Sequence, residues 1–182
     1  MKLFMLVLGC RPKGRNTEQH DTFFGIGDSL SDLLPQIEAF WPDGGKIHID
    51  SWREVTSVDD FTIKIMPRED ALENSPHKLF FINLGGYKPG DLEEYHYKLL
   101  TVAANKAEAI KSAKQTAFYL HTGFKCATSH IDDKYGVDVD DIYEIGEVLP
   151  ESLKDKYALV IEPATNSTTD ELHIGYLKLS NL

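Results

Sequence analysis

The sequence predicts an α+β fold of two tandem ββαββ repeats and a C-terminal β-hairpin, with helices packed on one face of antiparallel sheet. The first observation is a pattern of an acidic or hydroxyl residue, Glu, any residue and His, found at residues 17–20, 93–96 and 170–173. The second is an apolar run that precedes each occurrence by a similar distance. Such regular recurrence indicates an internal repeat, and the short links between strands favour antiparallel pairing.

Further matches extend the similarity over two full repeats and one half repeat. Lys2–Gly9 aligns with Lys78–Gly85 without a gap. The remaining equivalent positions keep their order along the chain: Gly14 and Gly90, Glu18 and Glu94, His20 and His96, Ser29 and Asn105, His48-Ile49-Asp50 and His130-Ile131-Asp132, Val58-Asp59-Asp60 and Val139-Asp140-Asp141. The third copy keeps only a strand and the Glu-x-His motif. We expect this half repeat to cover an otherwise open sheet edge.

These matches define the expected domain organisation. Residues 1–66 form the first ββαββ repeat, 67–77 a link, 78–149 the second ββαββ repeat, and 150–182 the C-terminal half repeat. A chain of 182 residues is long enough for one compact unit built from all of these parts.

The first repeat opens with a predicted β-hairpin. Leu3–Leu8 is apolar throughout, which is typical of a strand covered on both faces. Glu18–Ile26 is extended and rich in Phe and Thr, and we expect it to be the second strand. The loop between them is dense in Gly, Pro and basic residues.

A helix and two further strands complete this repeat. Ser29 and Asp32 resemble a capping box, and the apolar residues that follow recur at helical spacing. Pro35 lies inside this pattern and predicts a late start or a kink. Lys46–Trp52 and Phe61–Ile65 are then expected to pair with each other through a turn at Val58-Asp59-Asp60.

The second repeat follows the same plan. Glu94–Val102 predicts a strand, and Asn105-Lys106-Ala107-Glu108 predicts the capped start of a helix with Ala109, Ile110, Ala113 and Ala117 facing inward. Strands are expected near Lys125–Ile131 and Asp141–Ile145. The chain then forms a hairpin from Tyr157 to Leu179 around the polar loop at 163–169.

Composition excludes several classes of function. A formal charge of −10 disfavours binding to nucleic acid and to anionic membranes, both of which attract clustered Lys and Arg. Two cysteines, Cys10 and Cys126, form no disulfide framework, so we expect a cytoplasmic protein. The N-terminal apolar run ending at Cys10 is similar to a lipoprotein signal, but its recurrence at Lys78–Gly85 favours a core strand.

Histidine and carboxylate pairs are the candidate ligand-binding residues. Glu18 with His20, and His48 with Asp50, are two residues apart on predicted strands, so each pair leaves the sheet by one face. The second repeat offers equivalent pairs: Glu94, His96, His130 and Asp132. Imidazole and carboxylate are ligands for zinc and other first-row divalent metals. The alternative is a structural role, in which Glu and His hydrogen-bond each other or the hairpin backbone.

Other candidate sites have weaker support. Gly9-x4-Gly14 lacks the Lys and Ser or Thr of a phosphate loop and is followed by a strand. The basic residues Arg11, Lys13 and Arg15 are more typical of a solvated loop than of an anion site. Cys10 and His20 could form a nucleophile and base, but the second repeat has Gly86 at the cysteine position.

The block from Leu8 to Phe24, with Gly9-Cys10, Gly14-Arg15-Asn16, Glu18-Gln19-His20-Asp21 and Phe23-Phe24, resembles domain-of-unknown-function family 1543. Lys46-Ile47-His48-Ile49-Asp50 fits the same family, whose members carry one or two copies of the domain. The resemblance extends over both full repeats as tandem copies. It implies a small cytosolic bacterial protein and implies no reaction.

These observations favour a non-catalytic protein that binds a protein partner or a small ligand, with a homodimer as one arrangement and no required cofactor. The alternative is a divalent-metal-dependent enzyme of paired-repeat type, similar to the glyoxalase-like superfamily, with His, Glu and Asp as ligands. The arrangement of the imidazoles distinguishes the two hypotheses. Convergence of His20, His48, His96 and His130 in one pocket favours the enzyme, whereas a separate pair in each repeat favours a structural role.

Overall fold

Ten β-strands and four α-helices make up the regular structure of the described residues. The structure is a computed structural model that describes residues 1–71, 75–87, 92–120, 138–166 and 168–182. The chain divides into a first unit, Met1–Glu73 with Leu149–Leu182, and a second unit, Asn74–Val148. All strand pairs in the described residues are antiparallel. The predicted mixture of helices with antiparallel sheet is therefore confirmed.

A four-stranded sheet forms the centre of the first unit. Its strands in chain order are β1 (Lys2–Cys10), β2 (Gln19–Gly27), β3 (His48–Glu54) and β10 (His173–Lys178). Their spatial order is β10-β3-β1-β2, so β1 and β3 are the inner strands. β1 pairs with β2 along its whole length, from Lys2 opposite Gly27 to Cys10 opposite Gln19. The first predicted hairpin is confirmed.

One face of this sheet is covered by the helical segment. A turn of 3-10 helix at Leu30–Leu33 leads into α1 (Leu34–Phe40). Ser29 and Asp32 form the predicted capping box, and Pro35 lies in the first turn of α1, where its missing amide removes no helical hydrogen bond. The late start predicted from Pro35 is confirmed. The core under α1 consists of seven buried residues: Phe4, Leu6, Leu8, Phe23, Leu33, Ile37 and Ile49.

A smaller sheet completes the first unit. It contains β4 (Ser57–Val58), β5 (Phe61–Pro67) and β9 (Tyr157–Pro163) in that spatial order. α4 (Glu151–Lys154) precedes β9. The turn between β4 and β5 contains Asp59 at φ 52°, a left-handed conformation that Asp tolerates better than most residues.

The second unit has the strand order β7-β6-β8. Its elements are β6 (Lys78–Tyr87), β7 (Glu94–Ala103), α2 (Lys106–Leu120), β8 (Asp138–Glu144) and α3 (Ile145–Val148). The Asn105 side chain accepts a hydrogen bond from the Glu108 amide, as predicted for the helix start. Ala109 and Ala113 are fully buried in the core of this unit, because small residues allow α2 to approach the sheet closely. The strand expected near Lys125–Ile131 lies outside the described residues.

The predicted C-terminal hairpin is wrong. β9 pairs with β5 and β10 pairs with β3, so the two C-terminal strands join different sheets. The long polar connection between them permits this separation. As expected of a half repeat, β10 occupies the edge next to β3 that would otherwise lack a partner.

The predicted pairing of β3 with β5 is also wrong. β3 pairs with β1 and β10, whereas β5 pairs with β4 and β9. The backbone leaves the first sheet after Glu54 and turns back at Asp59. Phe61–Pro67 therefore joins the smaller sheet and not the four-stranded one. The equivalence of Val58 with Val139 fails for the same reason, because Val139 pairs with the central strand of its own unit.

Asp170 joins the C-terminal connection to the link between β3 and β4. Its carboxylate accepts hydrogen bonds from the Thr56 amide at 3.1 Å and the Ser57 amide at 3.4 Å. We expect Asp170→Ala to lower the free energy of unfolding by about 1 kcal/mol, because those donors lose a charged acceptor. Urea denaturation measures the change. Glu171→Ala, at a neighbouring and highly exposed carboxylate, should change stability little, and equal effects of the two variants would contradict this role.

Candidate metal centre

Four side chains meet at one end of the four-stranded sheet: Glu18, His20, His48 and Asp50. His48 Nε2 lies 3.1 Å from Glu18 Oε1 and 3.2 Å from Asp50 Oδ1. His20 Nε2 lies 3.2 Å from Asp50 Oδ2 and 3.9 Å from Glu18 Oε2. Each carboxylate therefore directs one oxygen to each imidazole. The structure brings together all four candidate residues of the predicted first repeat, which we call the first cluster.

The register of β1 with its two neighbours brings the two histidines together. Gly9 pairs with His20 on β2 and with His48 on β3, so the imidazoles flank a position that has no side chain. A Cβ atom built on Gly9 would lie 2.5 Å from His48 Nε2 and 2.9 Å from Asp50 Oδ2. The first cluster thus occupies the volume that any other residue at position 9 would fill.

A β-bulge in β3 places Asp50. Leu8 pairs with Ile49 and Val7 pairs with Ser51, so Asp50 is the extra residue between two ladder positions. Bulges of this kind re-aim side chains and are common near functional sites. Here Ile49 is fully buried in the core, while Asp50 contacts the imidazoles.

The first cluster is closed on one side and open on the other. The His48 side chain is only 6% exposed, whereas those of His20 and Glu18 are each 46% exposed and that of Asp50 is 32% exposed. The Tyr176 ring of β10 packs against the His48 ring at a centroid distance of 4.3 Å. The imidazole of His48 is therefore fixed, and solvent reaches the other three ligand candidates.

The distances fit two physical explanations. Hydrogen bonds between imidazole and carboxylate have N···O separations of about 2.7–3.2 Å. Two ligands that each lie about 2.1 Å from one metal ion are themselves separated by about 3.0–3.4 Å. The two explanations differ in the number of hydrogens that they require. His48 Nε2 carries at most one hydrogen, yet two carboxylate oxygens lie at almost the same distance from it. A cation shared by all four groups satisfies both contacts at once.

A related arrangement occurs in the second unit. Glu94, His96 and Asp140 each place a ligand atom within 4.8 Å of the others, and we call these residues the second cluster. His96 Nε2 lies 3.2 Å from Asp140 Oδ2 and 4.0 Å from Glu94 Oε2. The predicted ligands His130 and Asp132 lie outside the described residues, so the convergence of His20, His48, His96 and His130 in one pocket stays a prediction.

Asp140 is absent from the predicted ligands because the repeat pattern matches His48-Ile49-Asp50 with residues 130–132 and not with residues 138–140. β8 has the same irregularity as β3: Leu84 pairs with Val139 and Asn83 pairs with Asp141, which leaves Asp140 as the extra residue. The polar-apolar-Asp-polar-apolar order of residues 48–52 recurs at 138–142. That order was the available signal.

The third copy of the motif has a different environment. His173 Nε2 lies 3.9 Å from Glu171 Oε2, beyond hydrogen-bonding distance. The His173 ring instead stacks on Trp52 at a centroid distance of 3.9 Å and an interplanar angle of 12°. This histidine therefore anchors β10 to β3.

Two other sequence candidates can now be placed. In the basic loop, the Arg11 guanidinium donates to the Asn16 carbonyl, and β2 follows the loop where a phosphate site needs a helix. Cys10 is fully buried. Burial raises the pKa of the Cys10 thiol, and the Asp43 and Glu18 carboxylates act in the same direction. These conditions disfavour the thiolate that a nucleophile requires.

The first part of the chain matches a family model. The family model described as Domain of Unknown Function (DUF1543) matches residues 15–65. Over these residues the chain is similar to that family. The match confirms the resemblance found in the first repeat, and it contains all four residues of the first cluster.

A solved structure shares the fold. The crystal structure of a protein Il1583 from Idiomarina loihiensis is 23% identical and has a TM-score of 0.58, with 98% of this chain and 97% of that chain covered. A comparison with curated proteins finds no match. Among the described residues, the helices are too short or too polar to cross a membrane.

We expect Gly9→Ala to lower the free energy of unfolding by about 1–3 kcal/mol, the usual effect of overpacking, because the new methyl group collides with His48 and Asp50. Urea denaturation measures stability, and histidine NMR signals report the displaced imidazole. Gly146→Ala is the matched control, since the nearest atom to its new Cβ would be 3.8 Å away. A Gly9→Ala protein with unchanged stability and unchanged histidine signals would contradict the proposed packing.

We expect the Cys10 thiol to resist iodoacetamide at pH 8 in the folded protein and to react rapidly in urea. The measurement uses Cys126→Ser so that one thiol remains. Because the folded state raises the thiol pKa, the protonated thiol stabilises the protein below its ordinary pKa of 9.0, and this stabilisation is lost as pH rises. Rapid labelling of the folded protein would restore Cys10 as a candidate nucleophile.

Proposed function

We propose that the first unit binds one divalent first-row metal ion through Glu18, His20, His48 and Asp50. The observation that carries this proposal is the position of His48 Nε2 between two carboxylate oxygens at 3.1 and 3.2 Å. One ring nitrogen cannot donate a full hydrogen bond to both oxygens. A metal ion accepts electron pairs from the nitrogen and both carboxylates together.

The ligand types favour zinc or a neighbouring first-row ion. Two imidazole nitrogens and two carboxylate oxygens form a mixed set that suits borderline metals. Two carboxylates and two neutral imidazoles have a net charge of −2, which a divalent ion neutralises. Binding to the native state alone stabilises the fold by mass action, by about 2.7 kcal/mol at a free metal concentration one hundred times the Kd.

The metal also supports a role in binding small ligands. Three of the four candidate ligands are exposed to solvent by about a third to a half, so an ion held by these residues would be open to solvent on one side. A small anionic or neutral donor can enter there, consistent with a small-ligand binding protein. The second candidate function is metal-dependent hydrolysis, since the same open side admits a water whose pKa the metal lowers.

We further propose that the two units are tandem copies of one domain. Three features occur in both units and support this proposal. A central strand lies between its hairpin partner and a later strand, and a glycine on the central strand lies opposite the motif histidine. A bulge in the later strand contributes an aspartate. The presence of only two cysteines and the family resemblance support a cytoplasmic bacterial protein whose partner is a small molecule, a protein or a second copy of itself.

We expect purified protein to bind Zn²⁺ and its melting temperature to rise with Zn²⁺ and fall with EDTA. His20→Ala and Glu18→Gln should each weaken Zn²⁺ binding at least tenfold in calorimetric titration, since each removes a ligand. Both side chains are half-exposed, so the variants should fold. His77→Ala, outside both clusters, is the control. Absence of bound metal, together with a melting temperature unaffected by Zn²⁺ and EDTA, would leave the four residues with a structural role.

A further inference from the structure

We propose that the second cluster is an independent cation site, formed by Glu94, His96 and Asp140, and that it takes an oxygen-preferring divalent ion of the Mn²⁺ class. The site belongs to the second unit and uses no residue of the first cluster. It therefore goes beyond the proposed function of the first unit, and either site can exist without the other.

The donor atoms have the geometry of a ligand set. Each of the three residues offers one ligand atom, and these three atoms lie within 4.8 Å of one another. The shortest pair, His96 Nε2 and Asp140 Oδ2 at 3.2 Å, matches the separation of adjacent ligands on one ion, about 3.0–3.4 Å. The imidazole nitrogen lies 3.2 Å from one carboxylate and 4.0 Å from the other, and this nitrogen ligand distinguishes the cluster from an ordinary acidic surface patch.

The backbone leaves space for these side chains. Gly85 pairs with His96. A Cβ atom built on Gly85 would collide with Asp140 Oδ2 and lie 2.6 Å from Glu94 Oε1. The carboxylates therefore occupy the place of a side chain at position 85, just as the first cluster does at position 9.

One register position makes the two clusters chemically different. Gly9 pairs with His48 in the first unit, whereas Gly85 pairs with Asp138 in the second. The second unit therefore has Asp138 at the strand position where the first unit has His48. Among the described side chains, the second cluster has one nitrogen and two carboxylate ligands. Oxygen-rich sets suit Mn²⁺ and Mg²⁺ better than nitrogen-rich sets do.

Exposure permits exchange of the ion with solvent. The side chains of Glu94, His96 and Asp140 are 28%, 43% and 30% exposed. Two carboxylates beside one neutral imidazole have a net charge of −2, so a divalent ion neutralises the site. The partial exposure leaves room for waters, which Mn²⁺ and Mg²⁺ retain when protein ligands are few.

The test is titration of the full chain with Mn²⁺, in which the electron paramagnetic resonance signal of free Mn²⁺ falls as the ion binds. The titration is done in the His20→Ala and Glu18→Gln double variant, so that the first cluster is removed. We expect this protein to bind about one Mn²⁺. Adding Asp140→Asn or His96→Ala should weaken that binding at least tenfold, because each change removes a ligand.

Asp141→Asn is the matched control, because Asp141 is adjacent in sequence and accepts hydrogen bonds from Asn83 and Tyr143, which lie outside the cluster. We expect it to leave Mn²⁺ binding unchanged. Failure of the His20→Ala and Glu18→Gln background to bind Mn²⁺ would overturn the second site, as would equal binding in Asp140→Asn. Loss of Zn²⁺ binding in Asp140→Asn with no loss in His20→Ala would instead overturn the first site and support the second.

Discussion

The pairing of β1 with two neighbours through a glycine is the constraint on which the candidate site depends. Gly9 lies on the central of three strands, and backbone hydrogen bonds fix His20 and His48 on either side of it. A side chain at this position would occupy the space of the imidazole and carboxylate groups. The register of the sheet therefore sets the distances between the four polar side chains, independently of the contacts that these side chains make with each other.

One face of the first sheet packs against the core, and the other face holds the first cluster. Leu6, Leu8 and Ile49 fill the face beneath α1 and are fully buried. Burial of such side chains contributes roughly 1.5–3 kcal/mol each, which holds the register rigidly. The bulge at Asp50 preserves that core while adding a carboxylate to the opposite face, so the site gains a ligand without loss of packing.

The C-terminal segment belongs to the same structural unit as the first cluster. β10 covers the outer edge of β3, where Tyr176 packs on His48 and His173 stacks on Trp52. Both contacts restrain β3, the strand that supplies two of the four candidate ligands. His173 of the third Glu-x-His motif therefore has a packing role, through its contact with the Trp52 ring.

The sequence by itself determined the local elements, the four candidate residues of the first cluster and two of the three residues of the second cluster. Alternation and apolar runs located β1, β2 and β7, capping residues located the starts of the helical segments, and the recurrent motif located Glu18, His20, Glu94 and His96, because these signals act over a few residues. Only the tertiary structure decided that β9 and β10 separate, that β5 leaves β3, and that Asp140 joins His96. These choices depend on register and on a bulge between strands that are distant in the chain, and neither leaves a period in the sequence.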